Sequence, residues 1–207
     1  MSFLREKSVE SAMEYLEKGL RYRDWITGVG LDSDETDHPP RKFADVFRRS
    51  RSEDLKLTAH CGPDVDGVVD NIWQCVSEIE VDRIDHGVNA VVDTALVDTI
   101  RDKGIHITSC PITRHGQNWT GPRHADSTRT LLDAGVMITI NTDDPAYFTS
   151  RYLNDVMVGL AKAIDLSETE VIQLVRYAFE GAWLPATERD WYLSMLEAFV
   201  AERGTAA

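Results

Sequence analysis

Two adjacent carboxylates, Asp143 and Asp144, sit in the stretch "TINTDDPAYF" (139–148), after an alternating apolar run and before a proline. Like charges at neighbouring positions repel, so such a pair calls for a metal ion, the N–H donors of a bound base, or bulk water. Other polar, ionisable side chains occur at His60 in "LKLTAHCG", at Asp85 and His86 in "DRIDHGV", at Cys110 in "GIHITSCP", and at Asp32, Asp34 and Glu35 after "WITGVGL". Histidine offers zinc a neutral ring nitrogen and aspartate a carboxylate oxygen. The same two residue types hold or move protons in acid–base catalysis. Each position also has an ordinary reading. His60 suits a hydrogen-bonded core histidine, His86 a turn residue before glycine, and Asp-Asp-Pro a helix start with Asp as N-cap and Pro in the first turn. Asp32, Asp34 and Glu35 suit a solvated loop.

What these residues share is their place relative to the elements that carry them. Short runs rich in β-branched and apolar residues occur at 25–32, 55–62, 82–88, 104–111 and 135–143, and each ends on the polar residues just named. Helical spacing separates the runs. Val69, Ile72, Trp73, Val76 and Ile79 recur on one face of 65–79, as do Val92, Leu96, Val97 and Ile100 of 92–103. Beyond the fifth run only helices are expected, one opened by the capping-box pair Ser167 and Glu170, the last carrying a stripe of Trp191, Met195 and Phe199. Residues 3–20 are also expected to be helical. Alternating strands and helices predict parallel β-α units, and no linker, repeat or low-complexity segment divides the chain, so one α/β domain over 1–207 is expected. In a β/α barrel the C-terminal strand ends share one mouth, where ligands from separate strands converge.

Composition narrows the partners. The 207 residues are 43% apolar and 28% charged, which suits a core-forming domain and excludes a disordered or collagenous chain. A formal charge of −13, from 35 acidic and 22 basic residues, repels phosphate backbones and anionic bilayers, so neither nucleic acid nor membrane is an expected partner. No apolar run is long enough for a membrane span or signal core, so a cytoplasmic protein is expected. Cys61, Cys75 and Cys110 are odd in number and widely spaced, which fits reduced thiols rather than a disulfide framework or a Cys-x-x-Cys metal knuckle.

Five stretches, "GVGLDSDETDHPPRKFADVF" (28–47), "TAHCGPD" (58–64), "VDRIDHGV" (81–88), "SCP" (109–111) and "LLDAGVMITINTDDPAYF" (131–148), together resemble the adenosine/adenine deaminase family in order and spacing. The Asp-Ser-x-Glu and His-Pro-Pro segments are closest to the adenine deaminase branch. The resemblance implies a zinc-dependent (β/α)8 barrel that hydrolyses the exocyclic amine of a purine to a carbonyl and ammonia. It covers about five β-α units, strands four to eight of the family barrel, followed by C-terminal helices. It further implies that His60 is a zinc ligand, that Asp143 is a second ligand touching the attacking water, and that His86 deprotonates or orients that water. Asp144 would bond a ring nitrogen of a purine-like small molecule, and Asp32 and Glu35 would line the base pocket.

The pattern is departed from in three places. Where the family continues His-x-Gly-Glu after the ligand histidine, this chain has Pro63, with Asp64 and Asp66 nearby. The first-strand His-x-His pair, which supplies two further zinc ligands in the family, has no counterpart, so the zinc site is expected to be incomplete in this chain. The first recognisable strand matches the fourth of the family barrel, so three β-α units, roughly 100 residues by the size of such barrels, are expected to be absent. "SCPITRHGQNW" also lacks the Ser-Asn that follows Cys-Pro in the family. Three functions remain open: the C-terminal portion of a purine deaminase, impaired in activity; a non-catalytic relative that binds a purine-like ligand or another chain; and a hydrolase of another aminated heterocycle. A sheet left open in this way is expected to form a homo-oligomer or to join a complementing chain.

Overall fold

The computed structural model describes residues 1–111, 124–146 and 152–204. Six strands, β1 (Ser2–Leu4), β2 (Gly28–Asp32), β3 (Lys56–Cys61), β4 (Arg83–His86), β5 (His106–Ser109) and β6 (Ile138–Ile140), form one parallel sheet in chain order. All five expected runs are strands. The sixth, β1, was expected to be helix. It is only three residues long, too short to carry a periodic signal, and it exists because Ser2, Phe3 and Leu4 pair in parallel with Gly30, Leu31 and Asp32. The sheet therefore has six units instead of five, and β2 is not an edge. Among the described residues the edges are β1 and β6.

Side chains alternate faces along a strand, and register neighbours share a face. Phe3, Leu31, Ala59, Ile84, Ile107 and Ile138 form one continuous cross-strand row, and all are buried. The helices cover that face. On the opposite face, His60 stands beside Asp85, Asp85 beside Thr108, and Thr108 beside Thr139. The alternation in "KLTAHC" is thus a division between a packed hydrocarbon layer and a polar row.

Helix α1 (Val9–Gly19) packs beside α2 (Ala44–Arg51) with Leu16 fully buried and Glu17 accepting from Arg49 Nε at 2.9 Å, so it lies in the outer layer and does not close the open side of the sheet. Helix α3 (Val68–Gln74) continues through a wider turn, Cys75–Ile79, which covers the expected 65–79 stripe. Helix α4 (Thr94–Lys103) starts at Asp93, whose carboxylate caps Ala95 and Leu96 and also accepts from Trp73 Nε1. Val92 precedes that helix and is exposed, unlike the rest of its predicted face. Helices α5 (Ala125–Asp133), α6 (Leu153–Ala163), α7 (Glu168–Gly181) and α8 (Ala186–Gly204) complete the described α-helices. The predicted Ser167–Glu170 capping box opens α7. After α7 the chain turns inward, and Trp183 stacks on the Arg83 guanidinium at 4.0 Å. A side chain at Gly181 would drive its Cβ into the His106 ring, so that close approach needs glycine. Among the described residues no helix is long and apolar enough to cross a membrane.

Candidate active site

The polar row of the inner face leads to the C-terminal strand ends, where β3, β4 and β6 deliver three of the expected residues together. His86 Nε2 lies 3.8 Å from Asp143 Oδ2. The His60 ring meets the His86 ring edge to face, with centroids 4.5 Å apart. Both His86 (φ 62°) and Asp143 (φ 54°) leave their strands in the left-handed backbone region, which histidine and aspartate tolerate better than most residues. Gly87 follows His86 in the same region, at φ 63°. Two consecutive left-handed residues turn the chain sharply, and His86 is 7% exposed.

Donor atoms of His86, Cys110 and Asp143 lie within 4.8 Å of one another. Nitrogen, sulfur and carboxylate oxygen are the donor types zinc takes, so these residues fit such an ion. Cys110 was noted in the sequence as a strand-end residue, but nothing there pointed to it as a ligand. The neighbouring wall is a groove of ≈ 530 Å³ lined by His60, Asp85, Thr108, Asn141 and Thr142, among others. At its base Asp85 is clasped between two hydroxyls, with Thr58 Oγ1 donating at 2.8 Å and Thr108 Oγ1 at 2.9 Å. Arg83 Nε stands 3.5 Å from the same carboxylate.

His60 Nδ1 is 2.6 Å from Glu35 Oε1, which also accepts from Gly62 N at 2.7 Å. Burial alone would depress the His60 imidazole, yet the hydrogen bond to Glu35 and the fields of Glu35, Asp32 and Asp85 outweigh it and hold its pKa above the ordinary histidine value. Behind Glu35 lies Arg5, fully buried, with Nη1 3.2 Å from Glu35 Oε2. Arg5 carried no functional signal in the sequence, because it follows a strand too short to be recognised.

The remaining candidates are placed differently. Asp32 is exposed and lines a second groove of ≈ 280 Å³ beside His60, Asp85 and Trp183. Asp144 is exposed at the rim, and residues 143–146 form a bend and turn with no helical start. Pro63 occupies the turn after β3, its carbonyl held by Asn89 Nδ2 at 3.1 Å, and Asp64 and Asp66 beside it are exposed. The "ITRHGQNW" segment that departs from the family pattern, with His115, lies outside the described residues, as do Tyr147 and Phe148.

A parallel β-α sheet with metal-suited donors gathered at its C-terminal strand ends has the layout of part of a β/α barrel, whose sites lie at that face. The family model for adenosine deaminase matches residues 1–199, and the chain belongs to that family. It is 38% identical over 201 residues to an adenine deaminase of Marinomonas sp., covering 97% of this chain and 59% of that protein. An uncharacterized deaminase of Schizosaccharomyces pombe is 37% identical, again over 97% of this chain and 59% of its own length. The chain thus spans under two thirds of these relatives. Among solved structures, the adenine deaminase of Arthrobacter aurescens superposes with a TM-score of 0.84 at 29% identity, over 97% of this chain and 60% of that one. A zinc-bound amidohydrolase of Burkholderia ambifaria gives a TM-score of 0.85 at 24% identity, over 100% and 58% of the two chains, a likeness of fold.

Proposed function

We propose that residues 1–207 form one metal-dependent hydrolase unit carrying the water-activating part of a zinc-dependent purine deaminase site. The observation that carries this reading is the meeting of His86 Nε2 and Asp143 Oδ2 at 3.8 Å, with the His60 ring against His86, at the ends of three different strands. His60 and Asp143 would hold the metal, as the family resemblance implies, and Cys110, whose donor atom lies within 4.8 Å of those of Asp143 and His86, would contribute. Zinc, when bound at such a site, supplies hydroxide near neutral pH. His86, buried beside Asp143, would hold a water by one ring nitrogen and take its proton. Asp144 at the rim would accept a ring N–H of the base, and Asp32 would stand at the wall of the adjoining groove. A purine is the favoured substrate class because two of the proteins named above, those of Marinomonas and Arthrobacter aurescens, are adenine deaminases, and an Arabidopsis structure of the same fold was solved with IMP.

Zinc titration of the purified chain against a chelating dye tests the metal assignment. One zinc per chain is expected, with affinity weakened in both His60→Ala and Asp143→Asn by at least the roughly 10- to 100-fold that loss of an outer-shell partner costs. Affinity unchanged in both variants would overturn the reading. A second reading, purine binding without turnover, is favoured by Pro63: the turn after β3 offers no acid group at that position, and Asp64 and Asp66 face solvent. Adenine retained in equilibrium dialysis with no release of ammonia would support it, and ammonia release would exclude it.

A further inference from the structure

Arg5 and Glu35 form an ion pair whose side chains are 0% and 3% exposed, a costly arrangement unless further hydrogen bonds hold both charges. Two of those bonds, one from each partner, converge on one residue. Glu35 Oε1 takes His60 Nδ1 at 2.6 Å, and Arg5 Nη1 donates to the His60 carbonyl at 2.9 Å. Arg5 Nε is committed as well, donating to the His38 carbonyl at 2.9 Å and so fixing the guanidinium to the loop that carries Glu35. The Gly62 amide shares Glu35 Oε1, and a Cβ at Gly62 would stand 3.1 Å from His60 Cε1, so the backbone closes against the ring edge.

We propose that Glu35, anchored by Arg5, is a positioning residue that locks the His60 ring in the tautomer whose Nε2 is free to bind metal. The inference rests on His60 being a ligand, as proposed above. A carboxylate only accepts, so the ring nitrogen facing it must carry the proton, which leaves the lone pair on Nε2. Outer carboxylates that hold metal-binding imidazoles act in this way, fixing tautomer and orientation and raising ligand basicity. A role for Glu35 in the wall of a base pocket fits less well: the residue is 6% exposed, and its two oxygens already face His60 with Gly62 and Arg5. A purely structural brace for the loop would not need an oxygen aimed at Nδ1.

The test combines ring spectroscopy with metal affinity. In the metal-free, 15N-histidine-labelled chain at about pH 9, where imidazoles are neutral, long-range 1H–15N correlations should show His60, assigned by its loss in His60→Ala, as the Nδ1–H tautomer. A wild-type His60 protonated on Nε2 would overturn the proposal without recourse to any variant. Replacing the pair together, Arg5→Met with Glu35→Met, removes both buried charges and leaves neither unpaired. In that folded double variant His60 should become a mixture of tautomers and zinc affinity should fall about 10- to 100-fold. If His60→Ala weakens zinc binding and the folded double variant does not, the positioning role fails while the ligand assignment stands. If His60→Ala itself leaves affinity unchanged, the ligand assignment fails and takes the positioning role with it.

Discussion

His86 and Asp143 meet because each turns out of its strand through the left-handed region, and the turn after His86 depends on Gly87. A Cβ at Gly87 would lie 2.8 Å from Ile84 Cγ2, and its φ of 63° already disfavours any other residue. Gly87→Ala should therefore lower unfolding stability by more than about 1 kcal/mol in denaturant titration. An unchanged midpoint would show that the turn relaxes freely. At Pro63 the expectation concerns chemistry. Restoring an acid there does not restore its surroundings, because the Pro63 carbonyl is tied to Asn89 and proton transfer requires a positioned donor. Pro63→Glu alone should release no ammonia from adenine above the reagent blank, and release by that single variant would contradict this account. Of the residues that meet at the strand ends, His60, His86 and Asp143 were legible as candidates in the sequence because polar residues closing apolar strands are conspicuous. Arg5 was not, since its meaning lies in a contact with Glu35 across 30 residues of chain.

At the level of elements, α7 is held at its start by local and distant groups together. Ser167 Oγ caps Glu170 N, the Glu170 carboxylate returns to Ser167 N, and the same carboxylate pairs with Arg129 of α5. The Arg129 hydrogen bond first, then the Ser167 amide and hydroxyl, pull the Glu170 pKa down to about 2. A carboxyl with a depressed folded-state pKa stabilises the fold above its unfolded value and loses that contribution as pH falls through the folded one. The wild-type melting temperature should thus drop more steeply than that of Glu170→Gln as the pH falls from about 4.5 to about 2. Parallel curves would remove the Arg129–Glu170 link from the stability of the chain. Ser167→Ala, which deletes the cap, should cost about 1 kcal/mol at neutral pH. The capping box was readable because its four residues are contiguous; its partner on α5 was not.

For the molecule as a whole, the described sheet has two edges, β1 and β6, and apolar surface remains uncovered. Leu4 on the β1 edge is 48% exposed, and the α8 stripe of Trp191, Met195 and Phe199 is 56%, 51% and 55% exposed. Unpaired edges and contiguous apolar patches favour association. We expect light scattering on freshly purified protein to give a mass that rises with concentration. A sharp monomer mass independent of concentration, with cooperative thermal unfolding, would overturn the expectation. The net charge of −13 opposes this association at long range, so added salt should promote it.

The sequence by itself determined the parallel α/β architecture, five of its six strands, the family, and the strand-end positions at which the polar residues gather. These are readable because strand and helix periodicities differ and because motifs are local in the chain. Tertiary structure alone decided that residues 2–4 are a strand and that α1 lies in the outer layer, since three residues have no period of their own and take their conformation from β2. It also decided which donors meet. Cys110 comes near His86 and Asp143, and Glu35 turns from the groove to His60, through register and burial that link residues 24 to 57 positions apart, distances over which sequence spacing carries no geometry.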